Sequence, residues 1–223
     1  MTKSNKCLFG KDEVLTRLQE RRAAGVDIRA DFGLACLIAD NALLTQRDKG
    51  GADYSHHTTR VSQHNAPNNI LMIIGKLHDV VEDSDWTVDD LRAAGFSERI
   101  VSAVDALTHS DGEKYFDSIE RAAQNPDAVA VKLGDLRDNM SAHRFSGLPR
   151  PQDFERISKY VITFSYLSAI HDGTITPDTT MRTFIRTRPE LDPGAAVWAE
   201  LSDEPYEDKG PEKNCWVPPG MKP

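Results

Sequence analysis

Cysteine is scarce. Cys7, Cys36 and Cys215 are the full complement, odd in number and far apart. They build no disulfide framework, and with no Cys-x-x-Cys pair a thiolate zinc site is excluded; the pattern fits a reduced, cytoplasmic setting. Long apolar runs are missing too. The longest, Ile70 to Ile74, falls far short of the roughly 20 residues a membrane span needs, so no membrane partner is expected. Met1-Thr2-Lys3-Ser4-Asn5-Lys6 leads into no apolar segment, and a secretory leader is not expected either. Cations are in deficit, 27 Lys and Arg against 35 Asp and Glu, for a formal charge of −8. Such a chain has no general attraction to nucleic acid, and an anionic substrate would have to be held by local cations or by metal. With 223 residues and no internal repeat, one core with an appended tail is expected.

What the chain does have is His78-Asp79-Val80-Val81-Glu82-Asp83. On a continuous helix, residues four apart share a face, which would set His78 over Glu82 and Asp79 over Asp83. Four titratable groups in so small a space repel one another or lose solvation, and something must offset that cost. A divalent metal does so, because it accepts imidazole nitrogen and carboxylate oxygen together. The plainer reading is a solvated acidic helix end.

Around this motif the periodicity predicts an all-α protein. Helices are expected over 11–24 and 31–44, then a glycine-marked loop over 45–54 whose cations are Arg47 and Lys49. By themselves these two read as surface charge. In Tyr54-Ser55-His56-His57 the adjacent histidines point different ways, so at most one would join a metal site. Asn68 or Asn69 is positioned to cap the helix that carries the central motif. Thr87 and Asp90 form a capping box for a helix over 88–94 that stops at Gly95. Further helices are expected over 97–107 and 115–124. In 128–140, Asp135 and Asn139 share a face, with Asp138 one position off it. Read alone, Asp135 near an apolar helix start favours an N-cap over a ligand. A last long helix is expected over 151–171, with Ile157, Tyr160, Val161, Phe164, Leu167 and Ile170 inward. Residues 1–171 thus form one helical domain. Residues 172–223 are richer in proline, largely irregular, and carry a short helix near Asp178–Arg186. Trp198, Tyr206 and Trp216 would pin this extension to the domain or to a neighbouring subunit of a homo-oligomer.

Taken together, His57, the His78–Asp83 motif, and Lys132-Leu133-Gly134-Asp135 with Asn139-Met140 resemble the hydrolase domain of the RelA/SpoT alarmone proteins and the stand-alone small alarmone hydrolases of the HD superfamily. The resemblance spans about residues 30–145. It implies an HD-domain helical bundle holding one divalent cation, usually Mn2+, on His57, His78, Asp79 and Asp135. Tyr54 and Val61 sit at the family's spacing around the first metal histidine, which selects His57 over His56. Glu82 and Asp83 match the catalytic pair. Asn139 matches a substrate-contacting asparagine, and Arg47 and Lys49 resemble the basic pair ahead of the tyrosine. Arg144 is a further local cation for a purine nucleotide polyphosphate.

The chemistry is consistent with that implication, since a bound cation makes water acidic enough for attack and neutralises phosphoryl oxygens. Glu82 could orient that water or accept its proton. The chain also departs from the family pattern. Thr58 stands where the family has proline after the first metal histidine, and Gly134 where it often has alanine. Asn41-Ala42-Leu43-Leu44-Thr45-Gln46-Arg47 replaces the stretch that lines the nucleoside pocket. The leading expectation is removal of the 3′-pyrophosphate from (p)ppGpp-like alarmones. The same chemistry on an adenine alarmone, the 3′-phosphate of a dinucleotide such as NADPH, or a deoxynucleotide is the alternative within the superfamily. A non-catalytic nucleotide-binding or interaction module is the alternative outside it.

Overall fold

A computed structural model describes residues 9–48, 50–145, 147–148, 150–188, 191 and 201. Among them the architecture is all-α, and the only β pairing is an isolated antiparallel bridge between Arg47 and Asp53. The helices are α1 (Lys11–Ala23), α2 (Phe32–Ala42), α3 (Tyr54–His64), α4 (Asn69–Leu77), α5 (Val80–Asp83) and α6 (Val88–Ala93). Then come α7 (Glu98–Leu107), α8 (Tyr115–Ala123), α9 (Pro126–Asn139), a 3-10 turn (Ala142–Arg144), α10 (Pro151–His171) and α11 (Met181–Arg186).

Local chemistry sets these boundaries. Asp31 accepts from the Leu34 amide at the start of α2, and Asn68 accepts from the Ile70 and Leu71 amides at the start of α4. Thr87 and Asp90 close the expected capping box of α6, which ends at Gly95 with φ +95°. Asn125 caps α9 and Pro126 opens it, so the helix begins well before Asp135. The N-cap reading of Asp135 is thereby corrected: the residue lies in mid-helix.

Two apolar clusters fill the interior. One gathers α1, α2, α4, α6 and α7, with Val61 of α3 and Val80 of α5. The other gathers α8, α10 and α11. Helix α9 is shared between them: Ala128 and Val131 face the first, Val129, Leu133 and Leu136 the second. Buried on two sides, it has a third left for Lys132, Asp135, Asp138 and Asn139. Helix α4 is the other central element, packed against α2, α3, α7 and α9.

Three expectations are revised. The His78–Asp83 motif is not one helix, because α4 ends at Leu77 and α5 restarts at Val80. Along α10 the buried residues are Asp153, Ile162, Thr163, Tyr166 and Leu167, while Val161 is exposed. Leu167 is buried and Tyr160, Phe164 and Ile170 pack against the second cluster as expected, and the revision falls on Val161, which faces out. The boundary placed at residue 171 falls inside continuous packing: Met181, Phe184 and Ile185 are buried in the second cluster, and Tyr166 donates to the Thr179 carbonyl. Trp198, Tyr206 and Trp216 lie outside the described residues.

Candidate metal centre and active site

Three helices bring the ligand candidates together, and two glycines let them approach. A Cβ on Gly75 of α4 would lie 3.0 Å from Ser62 Cα and 3.1 Å from Ser62 N on α3, both rigid backbone atoms. A Cβ on Gly134 of α9 would meet Asn65 Nδ2 at 3.1 Å and His64 Cβ at 3.2 Å. The alanine of the resembled family would crowd this contact, and glycine removes the crowding.

His57, His78 and Asp135 then each present one ligand atom, all within 4.8 Å of one another and all buried. Their orientation is fixed from behind. His57 Nδ1 bonds Asp138 Oδ2 at 2.7 Å, and His78 Nδ1 lies 2.9 Å from the Gly75 carbonyl oxygen. Both Nε2 atoms therefore point inward, the arrangement by which outer partners set the tautomer of metal-binding histidines. Among the described residues, His78 Nε2 is buried with no hydrogen-bond partner. An orphaned imidazole nitrogen beside carboxylate oxygens fits a divalent cation, and the mixed donor set suits manganese, iron or zinc.

The break between α4 and α5 accounts for Asp79. Consecutive side chains on a helix do not face each other. Here Asp79 Oδ2 nevertheless comes within 3.1 Å of His78 Nε2 and 3.5 Å of His57 Nε2, and it accepts from the Tyr54 hydroxyl at 2.7 Å. Asp79 thus stands beside both histidines, while the group whose ligand atoms all lie within 4.8 Å of one another is His57, His78 and Asp135. Asp135 is held by Lys132 Nζ at 2.9 Å and by the Asn139 amide.

The charges are tightly linked. Burial works against protonating His57, yet its bonds with Asp135, Asp138 and Asp79 push it up to about 11 in the protein alone. For His78, burial is likewise outweighed by Asp79 and Asp135, giving about 9. Burial works to raise Asp79 and Asp135, but His78 and His57 beside the first, and Lys132 with both histidines beside the second, hold them well below the usual carboxylate range. Cation uptake therefore has to displace imidazole protons.

Glu82 lies at the edge of this group, exposed, with Oε2 accepting from the His109 amide at 3.0 Å. It lines a cavity of about 190 Å3 with His109, Tyr115, Lys132, Asp135 and Asn139. Asp83 is exposed overall, but partial desolvation, then Asp79 and Glu82, push its carboxyl up to about 6.

The expected substrate cations fare differently. Arg47 is exposed and ion-paired with Asp53, and Lys49 lies outside the described residues. Arg144 is not a free surface cation: it is buried, 3.2 Å from Asp48 and 3.5 Å from Asp138, and donates to Asn139 Oδ1 at 2.9 Å. It connects to Asp135 through Asn139, and through Asp138 and His57. The residues that sequence reasoning passed over are the supporting ones. Asp138 was noted as off the face, and the turn of α9 carries it behind His57, where Arg60 also binds it. Lys132 was visible as a motif residue, and its spacing three before Asp135 was the available signal.

No family model matches the chain. A solved structure does: that of a metazoan ortholog of SpoT, described as hydrolysing ppGpp and playing a role in starvation responses. It aligns over 73% of this chain and 98% of its own, with TM-score 0.54 and 20% sequence identity. The two chains share a fold. The all-α bundle expected for an HD-type domain is therefore what this sequence adopts.

Proposed function

We propose that the protein is a divalent-metal-dependent phosphohydrolase that removes the 3′-pyrophosphate of (p)ppGpp-like alarmones. The observation that carries this reading is the buried His57, His78 and Asp135 group with its orphaned His78 Nε2, opening beside Glu82. The ppGpp hydrolysis named for the structural neighbour supports the substrate class.

His57, His78, Asp79 and Asp135 would hold the cation, with Mn2+ the expected metal. Such a cation supplies Lewis acidity toward the phosphoryl group and the attacking water. Glu82, held by the His109 amide through one oxygen, has its other oxygen to take a proton from that water. The water oxygen bonds to phosphorus, the bond from phosphorus to the ribose 3′ oxygen breaks, and a proton completes the 3′ hydroxyl. The products are GDP or GTP and pyrophosphate. Among the described residues, Lys132, paired with Asp135, lines the cavity and would supply positive charge there.

A second reading keeps the chemistry and changes the nucleotide, to an adenine alarmone, a dinucleotide 3′-phosphate or a deoxynucleotide. The pairing of Arg47 with Asp53 favours it, because that cation is already neutralised. Product analysis with Mn2+ and ppGpp, with Asp79→Ala as control, tests the first reading. GDP and pyrophosphate absent from the control are expected. Turnover of another nucleotide in a panel, with ppGpp untouched, selects the second.

A further inference from the structure

Beside the metal centre lies a buried lysine that the mechanism above does not use. Lys76 is 1% exposed, and its ammonium meets three oxygens from two other helices. Asp40 Oδ1 of α2 is 2.7 Å away, and Thr59 Oγ1 and Thr58 Oγ1 of α3 are at 3.0 and 3.2 Å. Three N–H donors and three acceptors match the full capacity of an ammonium group. Stability alone gives no reason for a lysine here. Taking an ion out of water costs several kcal/mol, and an apolar side chain of similar volume often serves a buried position as well or better.

Its location gives the reason. Thr58 follows His57 directly, and only Leu77 separates Lys76 from His78. The hydrogen bonds thus join the backbone on both sides of the gap between the two imidazoles, whose ring centroids are 5.2 Å apart. Next to them Gly75 lies against Ser62, one turn beyond Thr58, so the glycine contact sets how closely α4 approaches α3 and the lysine sets where it stops sliding. Thr58 also stands where the resembled family carries proline, which has no hydroxyl to offer.

We propose that Lys76 is a positioning residue of the metal centre: through Asp40, Thr58 and Thr59 it fixes α4 against α2 and α3, and so fixes the spacing of His57 and His78. The inference rests on the reading of those histidines as metal ligands. The test is calorimetric titration of the purified protein and its Lys76→Met variant with Mn2+ alone, with thermal unfolding of both measured without metal. The expected result is a Kd for Mn2+ raised about tenfold, the lower end of the range for groups that bond the ligands directly, with the unfolding midpoint unchanged or higher. Unchanged affinity in the folded variant overturns the proposal. So does a loss of affinity that comes with a lowered midpoint, which would make Lys76 a structural residue only. Should Lys76→Met fail to fold, Thr58→Val decides the matter, since it leaves the bonds to Asp40 and Thr59. It is expected to weaken Mn2+ by about threefold, the scale of one modest hydrogen bond, and unchanged affinity there overturns the proposal. A wild-type protein that binds no Mn2+ removes the metal reading itself, and the role assigned to Lys76 goes with it.

Discussion

The two walls of the site differ in how they hold their residues. On the inner wall, α3, α4 and α9 touch through Gly75 and Gly134, and His57, His78 and Asp135 are buried with partners behind them. The outer wall is Glu82 of α5 with the loop over 108–114, whose His109 lines the cavity, and Gln46 ties the loop that carries Arg47 to Asp83 beside it. There Arg47 lies exposed against Asp53, and Glu82 depends on a single backbone amide of His109. A ligand set must hold geometry to tenths of an ångström, which packed helices supply. A wall built on exposed loop residues is held by fewer contacts, and such segments vary and move more. The inner wall is thus expected to tolerate almost no change, and the outer wall to trade turnover and specificity without loss of metal.

The inner wall gives the largest effect. His78→Ala or Asp135→Ala is expected to abolish Mn2+ binding in calorimetry and all metal-dependent hydrolysis. Either variant retaining wild-type affinity would remove that residue from the ligand set. On the outer wall, Glu82→Gln is expected to leave Mn2+ affinity within a few-fold of wild type and to lower kcat by about 10²–10⁴, the range for loss of a general base. Full activity in Glu82→Gln would show that the proton leaves by another route.

The same contrast explains what could be read from the sequence. Helix positions came from periodicity and caps, and α6 and α10 lie within a residue of their expected bounds. The inner-wall residues were legible from their chemistry, since imidazole and carboxylate side chains stand out in an apolar pattern: His57, His78 and Asp135 come together, with Asp79 beside the two histidines. What sequence reasoning missed depends on where the chain turns. The break after Leu77 brings Asp79 and His78 face to face, which no continuous helical pattern predicts. Arg144 looked like one more loop cation until the turn after α9 buried it against Asp48 and Asp138. Along α10 the periodicity places Tyr160, Phe164, Leu167 and Ile170 on the second cluster and errs at Val161, which is exposed.

Packing between the inner helices gives an intermediate effect. Gly75→Ala places a methyl 3.0 Å from the Ser62 backbone, which cannot swing aside. Overpacking of this kind costs about 1–3 kcal/mol, and here it would also push α4, with His78, away from His57. The expected outcome is a lowered unfolding midpoint together with weakened Mn2+ binding. Gly134→Ala meets side-chain atoms of Asn65 and His64, which can yield by a few tenths of an ångström, and should cost less on both counts. Equal losses in the two variants would contradict the distinction between backbone and side-chain contacts.

The smallest effect belongs to the outer wall. Arg121 binds Glu113 through two nitrogens, at 2.9 and 2.8 Å, and the Thr108 carbonyl at 2.7 Å, so it fastens the loop whose His109 amide holds Glu82. The bond from Arg121, opposed by some desolvation and aided by the Ser110 amide, holds the Glu113 carboxyl down to about 2. A depressed carboxylate stabilises the fold fully above its ordinary value of 4.5, and that contribution disappears as pH falls toward 2. The Arg121 side chain is 37% exposed, so solvent screening limits the pair to about 1 kcal/mol or less. Glu113→Gln should therefore lower the unfolding midpoint slightly at pH 7, and the difference from wild type should shrink as the pH is taken from 4.5 toward 2. Mn2+ affinity should not move, whereas kcat should fall modestly as Glu82 loses a firm partner. A fall in Mn2+ affinity instead would mean that the outer wall also carries ligand geometry, and the division between the two walls would not hold.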